Sequence, residues 1–360
     1  MKATQQLHDL GQSLWLDNIS REILRNGTLR RYRDEFSVTG LTSNPTIFDL
    51  AIRNGNYYDD SIRQKVAGKS GEALFFDLAL EDLTEAADLF RPIYDSTNGA
   101  DGFVSLEVSP LLAYDTADTI KEVAQLHGQS KRPNIMIKIP GTLEGVPAIE
   151  ESTFAGVPVN VTLLFSREQY IASAEAYLRG IERRIAAGLD PKIHSVASVF
   201  ISRWDKAVMG KVPETLRNRL GIAIAKRTYK TYRDVLESSR WQKLAKAGAL
   251  PQRLLWGSTG TKDPAAPDVL YIQELAAPDT INTIPEKTLL AFADHGQVKN
   301  LLPRDGGDAE QVLREFQRAG IDERALAAEL QREGAEAFDK SWNDLLECIA
   351  TKAAFLKKAG

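Results

Sequence analysis

The run Asn134-Ile135-Met136-Ile137-Lys138-Ile139-Pro140 places one amine among apolar, mostly β-branched neighbours. In an extended strand, successive side chains point to opposite faces. Ile135, Ile137 and Ile139 then share one side, and Met136 and Lys138 the other. If the isoleucines meet covering helices, Lys138 points into the interior. Desolvation there favours the uncharged amine, the form that attacks a carbonyl to give a Schiff base. A lone strand lysine more often guards an exposed sheet edge, but so apolar a run reads as a central strand. Other apolar runs end in groups that complement an amine. Asp17 closes Leu14-Trp15-Leu16-Asp17, and Glu107 closes Val104-Ser105-Leu106-Glu107. Asn160 and Thr162 fall on one side of Val159-Asn160-Val161-Thr162. Ser198 and Phe200 alternate with Val199 and Ile201, and Thr42, Ser43 and Asn44 close another run. A single buried carboxylate is commonly a cap or an ion-pair partner. An Asp, a Glu and a Lys arriving from three separate strands fit scaffolding less well and an active site better.

Two further segments suit an anion. Arg203 follows Phe200-Ile201-Ser202, and Lys262 ends Trp256-Gly257-Ser258-Thr259-Gly260-Thr261-Lys262. Glycines and hydroxyls beside a cation can hold a phosphate through backbone N–H groups and charge. The segment lacks the GK[ST] of a nucleotide P-loop. Taken singly, each cation reads as a solvated surface charge; their value lies in sharing one end of the fold.

The elements that must carry these groups follow from pattern. Strand-like runs cover Ser13 to Asp17, Val38 to Thr42, Phe103 to Val108, Asn134 to Ile139, Val157 to Val161, His194 to Phe200, Arg253 to Ser258 and Thr280 to Ile284. Between them lie helix-favouring segments such as Thr116 to His127, Ser166 to Ala187 and Glu214 to Ser238. Alternation of strand and helix implies parallel strands with helices outside. Eight units predict an α/β fold of the closed (β/α)8, or TIM-barrel, type, with a doubly wound open sheet as the alternative; no GxGxxG follows the first strand. In such a barrel the late strand ends share one face, which would gather the groups above. Residues 1–360 read as a single domain with two additions. A helical insertion at 51–100 separates the second and third strands, and a helical segment at 307–360 carries the stripe Leu326, Leu330, Phe338, Trp342, Leu345, Ile349 and Leu356.

Composition narrows the class. Of 360 residues, 43% are hydrophobic, enough for a large core and against disorder. Lys plus Arg number 45 against 49 acids, a net charge of -4, so no basic field draws the chain to nucleic acid. The one cysteine, Cys348, excludes an intrachain disulfide and a thiolate metal cluster, and fits a reducing compartment. His8, His127, His194 and His295 show no metal-ligand spacing. No signal-peptide core or membrane-length apolar run is evident, so a soluble cytoplasmic protein without membrane contact is expected.

The segments 41–48 (LTSNPTIF), 105–108 (SLEV), 137–142 (IKIPGT), 159–166 (VNVTLLFS), 197–203 (ASVFISR) and 282–289 (NTIPEKTL) together resemble the transaldolase family, in its longer bacterial and plant-type branch. The resemblance implies a class I aldolase barrel with Lys138 as the Schiff-base lysine. It implies Asp17 as general acid/base and Glu107 as a carboxylate acting through a water. Asn44, Asn160, Thr162 and Ser198 would orient substrate hydroxyls and that water, with Phe200 in the pocket wall. Arg203 and Ser258 would bind phosphate; Lys262 stands, after a longer turn, where the shorter branch has a second arginine. A lysine holds phosphate as a point charge, without the arginine fork. The family further implies sugar-phosphate substrates, no metal or organic cofactor, and a C-terminal helix crossing near the barrel mouth. Monomer and homodimer both stay open. The alternatives are a fructose-6-phosphate aldolase-like enzyme, a metal-dependent barrel using Asp17 and Glu107, and a non-catalytic sugar-phosphate-binding protein.

Overall fold

Eight parallel strands close into one barrel in sequence order in the computed structural model, which describes residues 1–358. They are β1 (Ser13–Leu16), β2 (Val38–Thr42), β3 (Val104–Glu107), β4 (Ile135–Pro140), β5 (Val159–Leu164), β6 (Ser195–Phe200), β7 (Gln252–Gly257) and β8 (Thr280–Ile284). β8 pairs with β1, so no strand edge is left open. The alternation in β4 behaves as its sequence demands. Ile135, Ile137 and Ile139 join the core shared with the outer helices, while Met136 packs inside with Trp15, Phe103, Val196, Leu255 and Ile281. That inner cluster fills the early-strand end of the barrel, and Lys138 lies beyond it. A glycine is required at position 40 on β2, because a Cβ there would run into the Phe103 carbonyl and the Trp15 indole. Asp101 fixes this end by accepting from Trp15 Nε1 at 2.8 Å and from Ser13 Oγ at 2.5 Å.

The fifth strand and the stretch after Glu214 differ from the sequence pattern for local reasons. The fifth strand begins at Val159 rather than Val157 and runs on to Leu164. Val157 gives its N–H to Ser152 and so closes the preceding helix Gly145–Ala155, and Pro158 has no N–H to offer a ladder. The stretch from Glu214 splits into a 3₁₀ turn, Glu214–Leu216, and the helix Leu220–Glu237. Asn218 sits between them in the left-handed region, with φ of 59°.

Between β2 and β3 the chain forms the helices Pro45–Arg53, Asp59–Lys65 and Gly71–Ser96. The buried Arg21, ahead of β2, ties the last two together through Asp82 at 2.7 Å and Ser61 at 2.7 Å. After β8 come Ala309–Arg318 and a 36-residue helix, Glu323–Lys358. The apolar stripe of this long helix divides: Leu330 and Phe338 pack at the barrel mouth, whereas Trp342, Leu345, Ile349 and Leu356 pack on the core that includes the insertion. Trp342 meets Phe75 edge-on at 5.0 Å, and its indole donates to Glu72 at 3.0 Å. Among the described residues no helix is long and apolar enough to cross a membrane.

Candidate active site

The late strand ends open into a cavity of about 630 Å3. Parallel register sets Glu107 on β3 beside Lys138 on β4, and Lys138 beside Asn160 on β5. Lys138 Nζ donates to Glu107 Oε2 at 2.7 Å and to the Ser43 carbonyl at 2.9 Å. The two side chains are only 6% and 3% exposed, so the pair interacts with little solvent screening. Ser43 presents its carbonyl because the chain turns directly after β2. Asn44 caps the next helix through Oδ1, accepting from the Ile47 N–H at 3.0 Å, and Pro45 occupies its first turn.

Burial pushes the Glu107 carboxyl above the usual carboxylate range, with the Lys138 charge opposing. Asp17, just beyond β1, is raised by burial too, against the pull of Lys138 and a hydrogen bond from Thr42. Thr42 Oγ1 donates to Asp17 Oδ1 at 3.0 Å and lies 2.6 Å from Thr283 Oγ1. Glu107 Oε1 and Thr162 Oγ1 are buried polar atoms with no hydrogen-bond partner in the protein. Asn160 is fully buried; its amide donates to Ser105 Oγ at 3.0 Å and accepts from Ser198 Oγ at 2.7 Å.

Cations gather in the same cavity. Arg203, Lys206 and Lys262 all line it, as do Phe200 and Ser258. The Arg203 guanidinium lies 5.3 Å from the Phe200 ring centroid and 6.0 Å from that of Phe338. Burial lowers the pKa of Arg203, with Glu333 and Asp17 opposing. Lys262 is lowered by burial, and further by Arg203 and Lys206 beside it. Ser258 adopts a left-handed φ of 53°, and its Oγ lies 3.0 Å from that of Ser202. The next acid, Asp263, accepts from Arg217 and, at 2.7 Å, from Asn218, which anchors the loop that carries Lys262. Amine, proton-accepting carboxyls and crowded cations in one cavity suit a carbonyl compound bearing a phosphate.

The structure therefore brings Asp17, Asn44, Lys138, Thr162, Ser198, Phe200, Arg203, Ser258 and Lys262 into one lining, with Glu107 and Asn160 touching it through Lys138 and Ser198. The family model for "Transaldolase/Fructose-6-phosphate aldolase" matches residues 14–349. The chain belongs to this family. It is 44% identical to the transaldolase of Arthrobacter sp. (strain FB24), over 99% of each chain. It is 45% identical to the transaldolase of Thermobifida fusca (strain YX), over 97% of this chain and 98% of that one. The transaldolase of Thiobacillus denitrificans (strain ATCC 25259 / T1) is 43% identical, covering 97% of this chain and 100% of the relative.

Within this family member, several cavity residues escape a strand-by-strand reading. Thr283 supports Thr42, and Leu330, Glu333 and Phe338 enter from the long C-terminal helix. Lys206 stands three residues after Arg203, a helical spacing that could have flagged it. Glu333 gave no such signal.

Proposed function

We propose that this chain is a transaldolase, moving a dihydroxyacetone unit from fructose 6-phosphate or sedoheptulose 7-phosphate to glyceraldehyde 3-phosphate or erythrose 4-phosphate. The observation that carries the reading is the buried amine of Lys138, hydrogen-bonded to Glu107 inside the cavity that holds the Arg203, Lys206 and Lys262 cations. Glu107, its carboxyl raised by burial, accepts the Lys138 proton. Nζ then adds to the C2 carbonyl of the ketose. The resulting carbinolamine loses its hydroxyl as water, with the proton supplied through Glu107, and leaves a protonated imine. The free Glu107 Oε1 and Thr162 Oγ1 are suited to holding that water.

The imine draws in the electron pair of the C3–C4 bond as Asp17 takes the C4 hydroxyl proton. The aldose phosphate departs and the enamine stays on Lys138. When a second aldose phosphate enters, the enamine attacks its carbonyl, Asp17 returns the proton, and hydrolysis of the imine releases the new ketose. Lysine supplies the electron sink, so the scheme needs no metal or organic cofactor. Asn44, Asn160, Ser198 and Phe200 shape the sugar site. Arg203, Ser258 and Lys262 anchor the phosphate and hold the reacting carbons in register. A cytoplasmic location fits the single cysteine and the sugar-phosphate substrates.

Borohydride reduction in the presence of fructose 6-phosphate, followed by peptide mass analysis, tests the proposal. The expected adduct is a reduced sugar on Lys138, formed with little free dihydroxyacetone unless an acceptor is withheld for long periods. A sugar trapped on another lysine, or an unmodified Lys138 in an active mixture, would overturn the assignment.

A further inference from the structure

β5 carries one residue more than its neighbour needs. Val161 lies opposite Ala197, yet Leu164 lies opposite Val199, so three steps on β5 match two on β6. The extra residue is a bulge at Thr162–Leu163, and Leu163 adopts the left-handed region with φ of 58°. That conformation is unfavourable for a residue with a Cβ, and bulges of this kind re-aim side chains beside active sites. Here the side chains on either side are sorted by it. Leu163 packs at the mouth with Phe165, Trp204, Leu330 and Phe338, and Leu164 goes to the outer core. Thr162 is left lining the cavity beside Lys138, its hydroxyl unpartnered within the protein.

The bulge is held from outside the barrel. Gly141, just past β4, gives its N–H to the Thr162 carbonyl at 2.7 Å. Gln331 of the helix Glu323–Lys358 then gives its amide Nε2 to two carbonyls at once, Gly141 at 2.9 Å and Leu163 at 3.0 Å. A single side chain thereby ties the end of the lysine-bearing strand to the bulged strand, with Thr162 bracketed between the two bonds. Gly334, one turn further on, makes the reach short: a Cβ there would lie 2.9 Å from Leu163 Cδ2 and 3.2 Å from Arg203 Nη1.

We infer that Gln331 is a positioning residue for the imine steps, holding the β5 bulge so that the Thr162 hydroxyl faces the reacting centre at Lys138. The inference rests on the Schiff-base reading above. Gln331→Met keeps length and removes both donors. It should slow appearance of borohydride-trappable imine from fructose 6-phosphate by roughly tenfold, short of the 10²-fold that a 1 Å misplacement can cost. KM should move by less than about twofold, because the loss falls on chemistry rather than on uniform binding. The deciding measurement is a double-mutant cycle. In a Thr162→Ala background, Gln331→Met should change the imine rate by less than about twofold, since the residue through which it acts is gone. A full multiplicative loss in that background, or an unchanged imine rate in the single variant, would overturn the proposal. Should Gln331→Met fail to fold, Gln331→Glu, which sets a carboxylate against the same two carbonyls, serves in the same cycle with the same two outcomes. Absence of trapping in the unsubstituted enzyme would strike the Schiff-base reading itself, whereas normal trapping there with an indifferent Gln331 strikes this inference alone.

Discussion

Lys138 is held by two acceptors, a carboxylate and a carbonyl, and the arrangement proposed for attack on a ketone differs from it by a proton. In the proposed mechanism Glu107 is the receiver, because burial has already made its proton harder to lose. Asp17 has the same shift from the same cause but stands apart, on Thr42, where it can serve the carbon–carbon step without competing for the amine. The two carboxyls can therefore be separated by experiment. Asp17→Ala should still form the trapped imine on Lys138, while steady-state turnover falls by about 10²–10⁴-fold, the usual contribution of a positioned acid or base. Near-normal turnover measured with a coupled assay would reject that role. The positions of Lys138, Asp17 and Glu107 at the late strand ends were legible in the chain because each puts a charge near the end of a short apolar run. Thr283 was not, since a threonine in a strand reads first as β-propensity. Glu333 and Lys206 look like ordinary solvated helix charges until distant segments are folded together.

The loop after β7 shows how an element can decide what a residue does. Lys262 reaches the cavity from this loop, and Asp263 beside it is gripped by Arg217 and Asn218, which hold its carboxyl well below the usual range. Those two partners come from the very break that splits the stretch after Glu214, so the irregularity has a use. Asp263→Ala should free the loop and raise KM for fructose 6-phosphate by several-fold, with a smaller effect on kcat/KM for unphosphorylated donors. Equal losses on both donors would separate the loop from phosphate binding. The strand order and helical layers were readable from alternation of pattern. The β5 bulge was not, because an inserted residue in Val161-Thr162-Leu163-Leu164 leaves the composition of the run unchanged and shows only in register and φ.

The whole molecule also carries a pH signature away from its chemistry. Glu122 accepts from the Ser109 N–H at 2.6 Å, and burial, with Glu72 adding like charge, pushes its carboxyl up to about 7. The folded chain thus keeps a proton that the unfolded chain releases near 4.5, and stability falls as pH climbs between those values. Glu122→Gln should leave Tm nearly unchanged at low pH and raise it at pH 8, the ceiling on the gain being about 3 kcal/mol. A Tm difference independent of pH would remove Glu122 from the account. Glu72 also receives the Trp342 indole, and Trp342 belongs to the helix whose earlier turns wall the sugar cavity. A helix of 36 residues is a rod about 54 Å long. Its far half rests on the aromatic cluster of Phe75 and Phe76, and its near half is pinned at the barrel mouth by Leu330, Phe338 and the Gln331 bonds. The same rod therefore ties the packing of those rings to the roof of the pocket.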